Sequence, residues 1–197
     1  MNKNSESDSR SRLPPGQHLT KKFPVLQKGR IQHIDRDEYK LEVVGQVKKP
    51  QTFTLEELRE LKNREVICDI HCVTGWSKFD AKWEGISFKK LFEIVQPKET
   101  ANFLEFNCAD GGFTTTVALE KVISEKNILA LRYDGVALGD KHGGPVRAVI
   151  PDLYFYKSAK WITKINFLKE DNLGYWERGG YSNKADPWKE QRYRRND

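Results

Sequence analysis

Apolar and polar residues alternate with a period of two over Tyr39-Lys-Leu-Glu-Val-Val-Gly45, which predicts a strand that breaks at Gly45. The period then changes. Leu55, Leu58 and Leu61 share one helical face, Thr54 can cap it, and Glu57 completes a capping box, so a short helix is expected over residues 54–61. Residues 65–72 are β-branched and short, the pattern of a buried strand; it stops at Thr74-Gly75, in a loop rich in Gly, Trp, Ser and Lys. A second short helix is expected over residues 87–95, ended before Pro97. Residues 103–106, 113–117 and 127–133 read as strands, with Asp134-Gly135 marking a turn. Further strands are expected over residues 146–150, before Pro151, and over 161–167, where clean alternation closes the core. There is no internal repeat. These elements predict an α+β fold of mixed, largely antiparallel β-sheets with short helices.

Composition agrees with a folded body. The 197 residues suffice for one domain with a real core, and 38% hydrophobic against 31% charged residues is globular rather than disordered. Residues 1–16, rich in Ser, Asn and Arg and ending in Pro14-Pro15-Gly16, are expected to form a flexible arm. Residues 17–170 are expected to form the domain. Residues 171–197 carry Tyr175, Trp176, Tyr181, Trp188 and Tyr193 without any period, and are expected to wrap over it as an extended tail. No run of about eighteen apolar residues occurs, so no membrane-spanning helix is predicted. The first residues lack the apolar stretch of a secretory signal, which points to the cytoplasm.

The net charge of +6 gathers near the ends, at Lys21-Lys22, Lys28 and Arg30, then at Lys189, Arg192, Arg194 and Arg195. No helix-turn-helix, zinc-finger or RNP pattern accompanies it. A solvated basic surface or a site for a polyanionic cofactor or substrate accounts for the charge better than nucleic acid does.

Cys68, Cys72 and Cys108 are too few for a disulfide scaffold and, in a reducing compartment, are expected as thiols. His71 beside two cysteines suggests zinc, but on a strand Cys68 and Cys72 stand about 13 Å apart at roughly 3.3 Å per residue. One tetrahedral ion does not reach both. Cys72 closes an apolar strand where a loop opens, a usual place for a site, whereas burial as a small hydrophobe suits Cys68 and Cys108. A thiolate there needs nearby positive charge or a metal.

Two further constellations stand out. In Asp140-Lys-His-Gly-Gly-Pro-Val-Arg147 the glycines let the backbone approach a ligand closely, with His142 and Arg147 at either side. In Tyr156-Lys-Ser-Ala-Lys-Trp161 the Ser158 hydroxyl, Lys157 and Lys160 can hold a phosphate. Each also has a plain reading: His142 caps a turn, Arg147 pairs with a carboxylate, and the lysines are solvated. Taken together they suggest a thiol-ligated group with an anionic tail.

From Pro14 to Trp188 the chain resembles the sulfite-oxidase-type molybdopterin-dependent oxidoreductases. The resemblance rests on Lys22-Phe-Pro-Val-Leu26, His71-Cys-Val-Thr-Gly-Trp-Ser77, His142-Gly-Gly-Pro-Val-Arg147 and Lys157-Ser-Ala-Lys-Trp161. It implies a Mo-molybdopterin cofactor with Cys72 as the metal ligand, since soft sulfur suits the metal's oxo chemistry. It also implies that His142 and Arg147 contact the pterin, and that Ser158, Ala159 and Lys160, assisted by Lys157, form the phosphate-side loop. Thr20, Lys21, Lys22 and Phe23 are similar to the family's first pterin-binding stretch, and Asp110 is a further contact. His71, Trp76 and Lys78 are expected to line the catalytic pocket beside Cys72.

After the cysteine, Thr74-Gly-Trp-Ser-Lys78 replaces the Gly-Asn-Arg type of run found in true sulfite oxidases, and Phe113 stands where they place a tyrosine. The chain is closer there to bacterial methionine-sulfoxide reductase catalytic subunits. The resemblance therefore implies oxygen-atom transfer to or from a small S-oxide, N-oxide or sulfite-like substrate. No haem or dimerisation domain is recognised, so electrons are expected to be exchanged with a separate partner. The alternative is a basic module that keeps the fold and binds nucleic acid or protein without redox chemistry.

Overall fold

The computed structural model describes residues 11–197, so residues 1–10 of the expected arm lie outside the described residues. Two mixed sheets carry the chain. In one, β2 (Lys40–Gly45) pairs antiparallel with β3 (Gln51–Thr54) and parallel with β11 (Ile162–Leu168). Beyond β11 lie β6 (Phe103–Cys108) and β7 (Thr114–Ala118), both antiparallel. Leu41 and Val43 are fully buried while Lys40 and Glu42 face water. A one-residue slip would expose both, at roughly 1.5–3 kcal/mol for each apolar side chain, so the period fixes the register.

The other sheet is built on β5 (Trp76–Ser87), the longest strand among the described residues. It pairs parallel with β1 (His18–Leu19) and antiparallel with β4 (Arg64–His71) and β8 (Ile128–Tyr133). On β8 lie β9 (Val136–Ala137) and β10 (Arg147–Val149). The main core joins Leu104, Phe106 and Ile165 of the first sheet to Ile86, Leu129 and Ala148 of the second. A smaller cluster holds Val66, Ile70, Trp83 and Val149, and Cys72 and Trp76 belong to it.

Helix α1 (Leu55–Glu60) forms as expected, with Thr54 Oγ1 accepting from Glu57 N at 3.3 Å and Thr54 N donating back to Glu57 Oε2 at 2.7 Å. Helix α2 (Phe88–Val95) is capped by Ser87, whose Oγ accepts from Lys90 N, and ends at Gln96 in the left-handed region. α3 (Leu119–Val122) is a single turn.

Three expectations change. Trp76, Ser77 and Lys78 start the long strand β5 instead of lying in a loop; the apolar pattern slips at Trp76-Ser-Lys-Phe79, where the pairing with β4 shifts register and Asp80 takes φ 53°. Residues 11–16 are held: Arg12 grips Asp69 at 2.5 Å and Asp80 at 2.6 Å, and Pro14 is buried. The tail wraps the domain but is not purely extended. It contains α4 (Tyr175–Arg178) and buries Glu177, Ser182, Ala185 and Gln191.

Candidate cofactor site

The chain turns sharply after β4. Gly75 N donates to the Cys72 carbonyl at 2.9 Å and Cys72 N donates to Trp76 O at 2.8 Å, closing a tight turn in which Gly75 takes φ 101°. The turn leaves Cys72 and Trp76 in the wall of a cavity of about 300 Å³. Burial pushes the Cys72 thiol up; the Thr74 hydroxyl, 3.2 Å from Sγ, and the charge of Arg192 pull the other way.

The cavity lining is rich in basic residues. Lys28, Lys141, Arg147 and Lys160 line the cavity, and Asp110 is the acidic residue among the described lining groups. Arg147 is buried, and burial draws its guanidinium below the usual arginine range. It donates to the carbonyls of His142 at 3.0 Å and Ser158 at 2.8 Å and lies 4.4 Å from the Phe155 ring centre. It therefore ties the His-Gly-Gly-Pro loop to the Lys-Ser-x-Lys loop. Gly143, at φ 93°, makes this possible, since a Cβ there would sit 2.7 Å from the Lys160 side chain.

His142 stacks on Phe23, with ring centres 4.1 Å apart and planes 12° from parallel. Burial first, then the charges of Arg147, Lys160 and Lys141, push its pKa down to about 4, so it is neutral near pH 7. Burial and the Arg147 charge likewise bring Lys160 down to about 7, against the pull of Asp110. Its Nζ donates to the Leu26 carbonyl at 3.0 Å. An anion in the cavity would restore its full charge.

The structure thus brings together Phe23, Cys72, Trp76, Asp110, His142, Arg147, Ser158, Ala159 and Lys160 around one space. Thr20, Lys21, Lys22, His71, Lys78 and Lys157 do not line it. His71 Nδ1 lies 2.8 Å from Ser77 Oγ and its ring meets Trp188 edge-on, while Lys78 Nζ reaches the Lys21 carbonyl. Lys157 is fully buried and spends its donors on Glu177 at 2.5 Å, Thr116 O at 2.9 Å and Asn183 Oδ1 at 3.1 Å. It has no free ammonium to offer a phosphate. The Ser158 hydroxyl accepts from Ile150 N.

Sequence reasoning missed Gln27, Lys141, Phe155 and Tyr156 as wall residues, and did not assign Lys28, Trp176 or Tyr181 a place there. The signal for Trp176 and Tyr181 was an aromatic-rich tail with no helical or strand period, which long-range packing alone could place.

Residues 28–176 match the oxidoreductase molybdopterin binding domain family, and the chain belongs to it. It is an oxidoreductase of the molybdopterin-binding class. It is 40% identical over 192 residues to an uncharacterized oxidoreductase, YuiH, of Bacillus subtilis, covering 97% of this chain and 96% of that one. A putative protein-methionine-sulfoxide reductase subunit, YedZ1, of Azospira oryzae is 29% identical over 85% of this chain and 64% of its own length. The catalytic subunit MsrP of Campylobacter jejuni is 26% identical, over 74% of this chain and 54% of its own. The chain thus spans between half and two thirds of those reductases. The crystal structure of sulfane dehydrogenase SoxCD from Paracoccus pantotrophus shares the fold, with a TM-score of 0.65 at 21% identity over 71% of this chain and 40% of that one.

The residues present fit such a cofactor. A thiol shares the cavity lining with four basic side chains and one carboxyl group. Two buried polar atoms of the wall, Trp76 Nε1 and Gln27 Oε1, have no hydrogen-bond partner among the described residues. Orphaned groups of this kind are costly unless a ligand satisfies them. No helix among the described residues is long and apolar enough to cross a membrane.

Proposed function

We propose that this protein is a molybdenum–molybdopterin enzyme that moves an oxygen atom to or from a small substrate, with S-oxides first among the classes. The observation that carries this is that Cys72 and the basic residues Arg147 and Lys160 line one cavity. The names of the related reductases favour an S-oxide over sulfite. When bound, the molybdenum centre supplies two-electron oxygen-atom chemistry.

The chain's own groups do the rest. Cys72 Sγ is the soft ligand. Neutral His142, held flat on Phe23, offers a hydrogen bond to a pterin edge without adding charge. Lys28, Lys141 and Lys160 balance the phosphate, and Arg147 keeps their two loops in register. Trp76, Phe113, Trp176 and Tyr181 exclude water and leave an apolar, aromatic approach to which a thioether or sulfoxide carbon skeleton is suited. Electrons are exchanged with a separate redox partner.

The test is metal and pterin analysis of protein made in a molybdate-supplied host, followed by a dye-linked assay with S-oxides, N-oxides and sulfite in parallel. About one molybdenum per chain, lost in Cys72→Ser, and turnover of an S-oxide are expected. Metal- and pterin-free protein from a host competent in pterin synthesis would overturn the reading.

A further inference from the structure

The turn that presents Cys72 is not held by its own strand alone. Its backbone carbonyls are gripped by two side chains from the chain's ends, and both lie outside the family match over residues 28–176. Gln17 Nε2 donates to the Cys72 carbonyl at 3.0 Å, and Gln17 Oε1 accepts from Ser77 Oγ at 3.1 Å. From the tail, Arg192 Nη1 donates to the Val73 carbonyl. Its Nη2 is 3.2 Å from the carbonyls of both Pro15 and Gly16.

The Arg192 side chain is only 15% exposed and its guanidinium lies 5.2 Å from the Tyr154 ring centre. Its own carbonyl accepts from Ser182 N at 3.1 Å, directly after Tyr181 of the cavity wall. Gly16, at φ 67°, leaves room for it, since a Cβ there would meet Arg192 Nη2 at 2.8 Å. One side chain thus joins the N-terminal segment, the cysteine turn and the tail.

We infer that Arg192, with Gln17, is a positioning residue: the two fix the peptide groups on either side of Val73 and so set the direction in which Cys72 Sγ enters the cavity. The metal-directed part of this inference rests on the function proposed above, while the clamp itself does not. A charged donor to a carbonyl in a half-buried site is among the stronger hydrogen bonds a protein makes. A free turn at Gly75 would let Sγ swing, whereas a clamped one presents it in one direction before any ligand arrives.

The experiment compares Arg192→Ala, Arg192→Lys and Gln17→Ala in the full chain by amide hydrogen exchange and by the thiolate-to-metal absorption band of the loaded protein. In Arg192→Ala, amides of residues 72–76 should exchange at least about tenfold faster, the scale of one lost charge-assisted bond, while those of β11 stay protected. The absorption band should shift, and Arg192→Lys should restore part of both effects. Gln17→Ala should move the same two readouts without loosening the tail, and it serves if Arg192→Ala fails to fold. Unchanged exchange at residues 72–76 in both alanine variants would overturn the clamp. Faster exchange with an unaltered band and full metal content would reduce it to a structural tie. If the wild-type chain carries no metal, the proposed function falls, and the exchange result alone judges the clamp.

Discussion

The Arg147 guanidinium spans the carbonyls of His142 and Ser158, at 3.0 and 2.8 Å, so residues from two sequence motifs are held by one side chain. Among the described residues it has no carboxylate partner: its donors go to backbone oxygens, including Ala148 O at 3.3 Å. A planar fork suits this, and an ammonium does not. Arg147→Lys should lower stability by about 1–3 kcal/mol, and Arg147→Ala, which takes a donor from the buried Ala148 and Ser158 carbonyls and the half-buried His142 carbonyl, by about 3–5 kcal/mol. Urea denaturation measures both, and molybdenum content should fall with them.

Lys157 and Glu177 form a buried ion pair at 2.5 Å, with side chains 0% and 1% exposed, and Glu177 also accepts from Thr115 Oγ1 at 2.6 Å. Burial lowers the Lys157 pKa and the partner carboxylate opposes that shift. This pair pins the tail to β7. Removing either partner leaves an uncompensated buried charge, so Lys157→Met and Glu177→Gln should each cost about 3–5 kcal/mol. The double replacement Lys157→Met with Glu177→Leu should recover much of the loss and keep molybdenum bound. Loss of the metal in a stable double variant would instead place Lys157 in the cofactor's grip.

How much of this was legible in the sequence depends on the range of the forces. Thr54 with Glu57, and Leu41 with Val43, act over a few residues, so the helix and strand they mark could be read directly. The Cys72 turn and the Gly-Gly-Pro loop were visible because they need particular residue types. Lys157 was misleading. A lysine in a basic loop looks solvated until Glu177, twenty residues on, is folded over it. The same holds for Gln17 and Arg192, whose shared target is legible only in three dimensions. β5 was obscured at its start, where Trp76-Ser-Lys-Phe79 departs from period two and its pairing with β4 shifts register.

Lys160 makes the site sensitive to pH. Its folded pKa of about 7 lies below the usual lysine range, through burial first and then the Arg147 charge, against Asp110 and Cys108. The unfolded chain therefore binds the extra proton between pH 7 and the ordinary lysine value, so stability should rise with pH across that window. Below about pH 7 the folded site carries its full penalty. His142, with its pKa pushed down to about 4, adds nothing above about pH 7 and lowers stability only as pH falls from the ordinary histidine range towards 4. In protein from a host unable to make the pterin, sulfate should raise Tm more at about pH 6 than at about pH 8.5. The difference should vanish in Lys160→Met. An equal effect of sulfate at both values would show that Lys160 is not the group that meets the anion.

Gly143 tests whether the two loops must touch. Its φ of 93° lies where side chains are strained, and a Cβ would be 2.7 Å from both Cβ and Cγ of Lys160. Those atoms belong to the stem of the lysine, near its Cα, so they cannot swing aside as a side-chain tip would. Trp161 N also donates to the Gly143 carbonyl at 3.1 Å, so any retreat of the loop breaks a backbone bond. Gly143→Ala should therefore cost about 1–3 kcal/mol from backbone strain alone, more with the clash, and displace the Lys160 ammonium. By contrast Gly135, also at positive φ but with open space around it, should show the strain without the clash. Comparing Gly143→Ala with Gly135→Ala by thermal unfolding and molybdenum content separates the two causes. A metal content that falls only in Gly143→Ala would tie cofactor retention to this contact, and equal content in both would break that link.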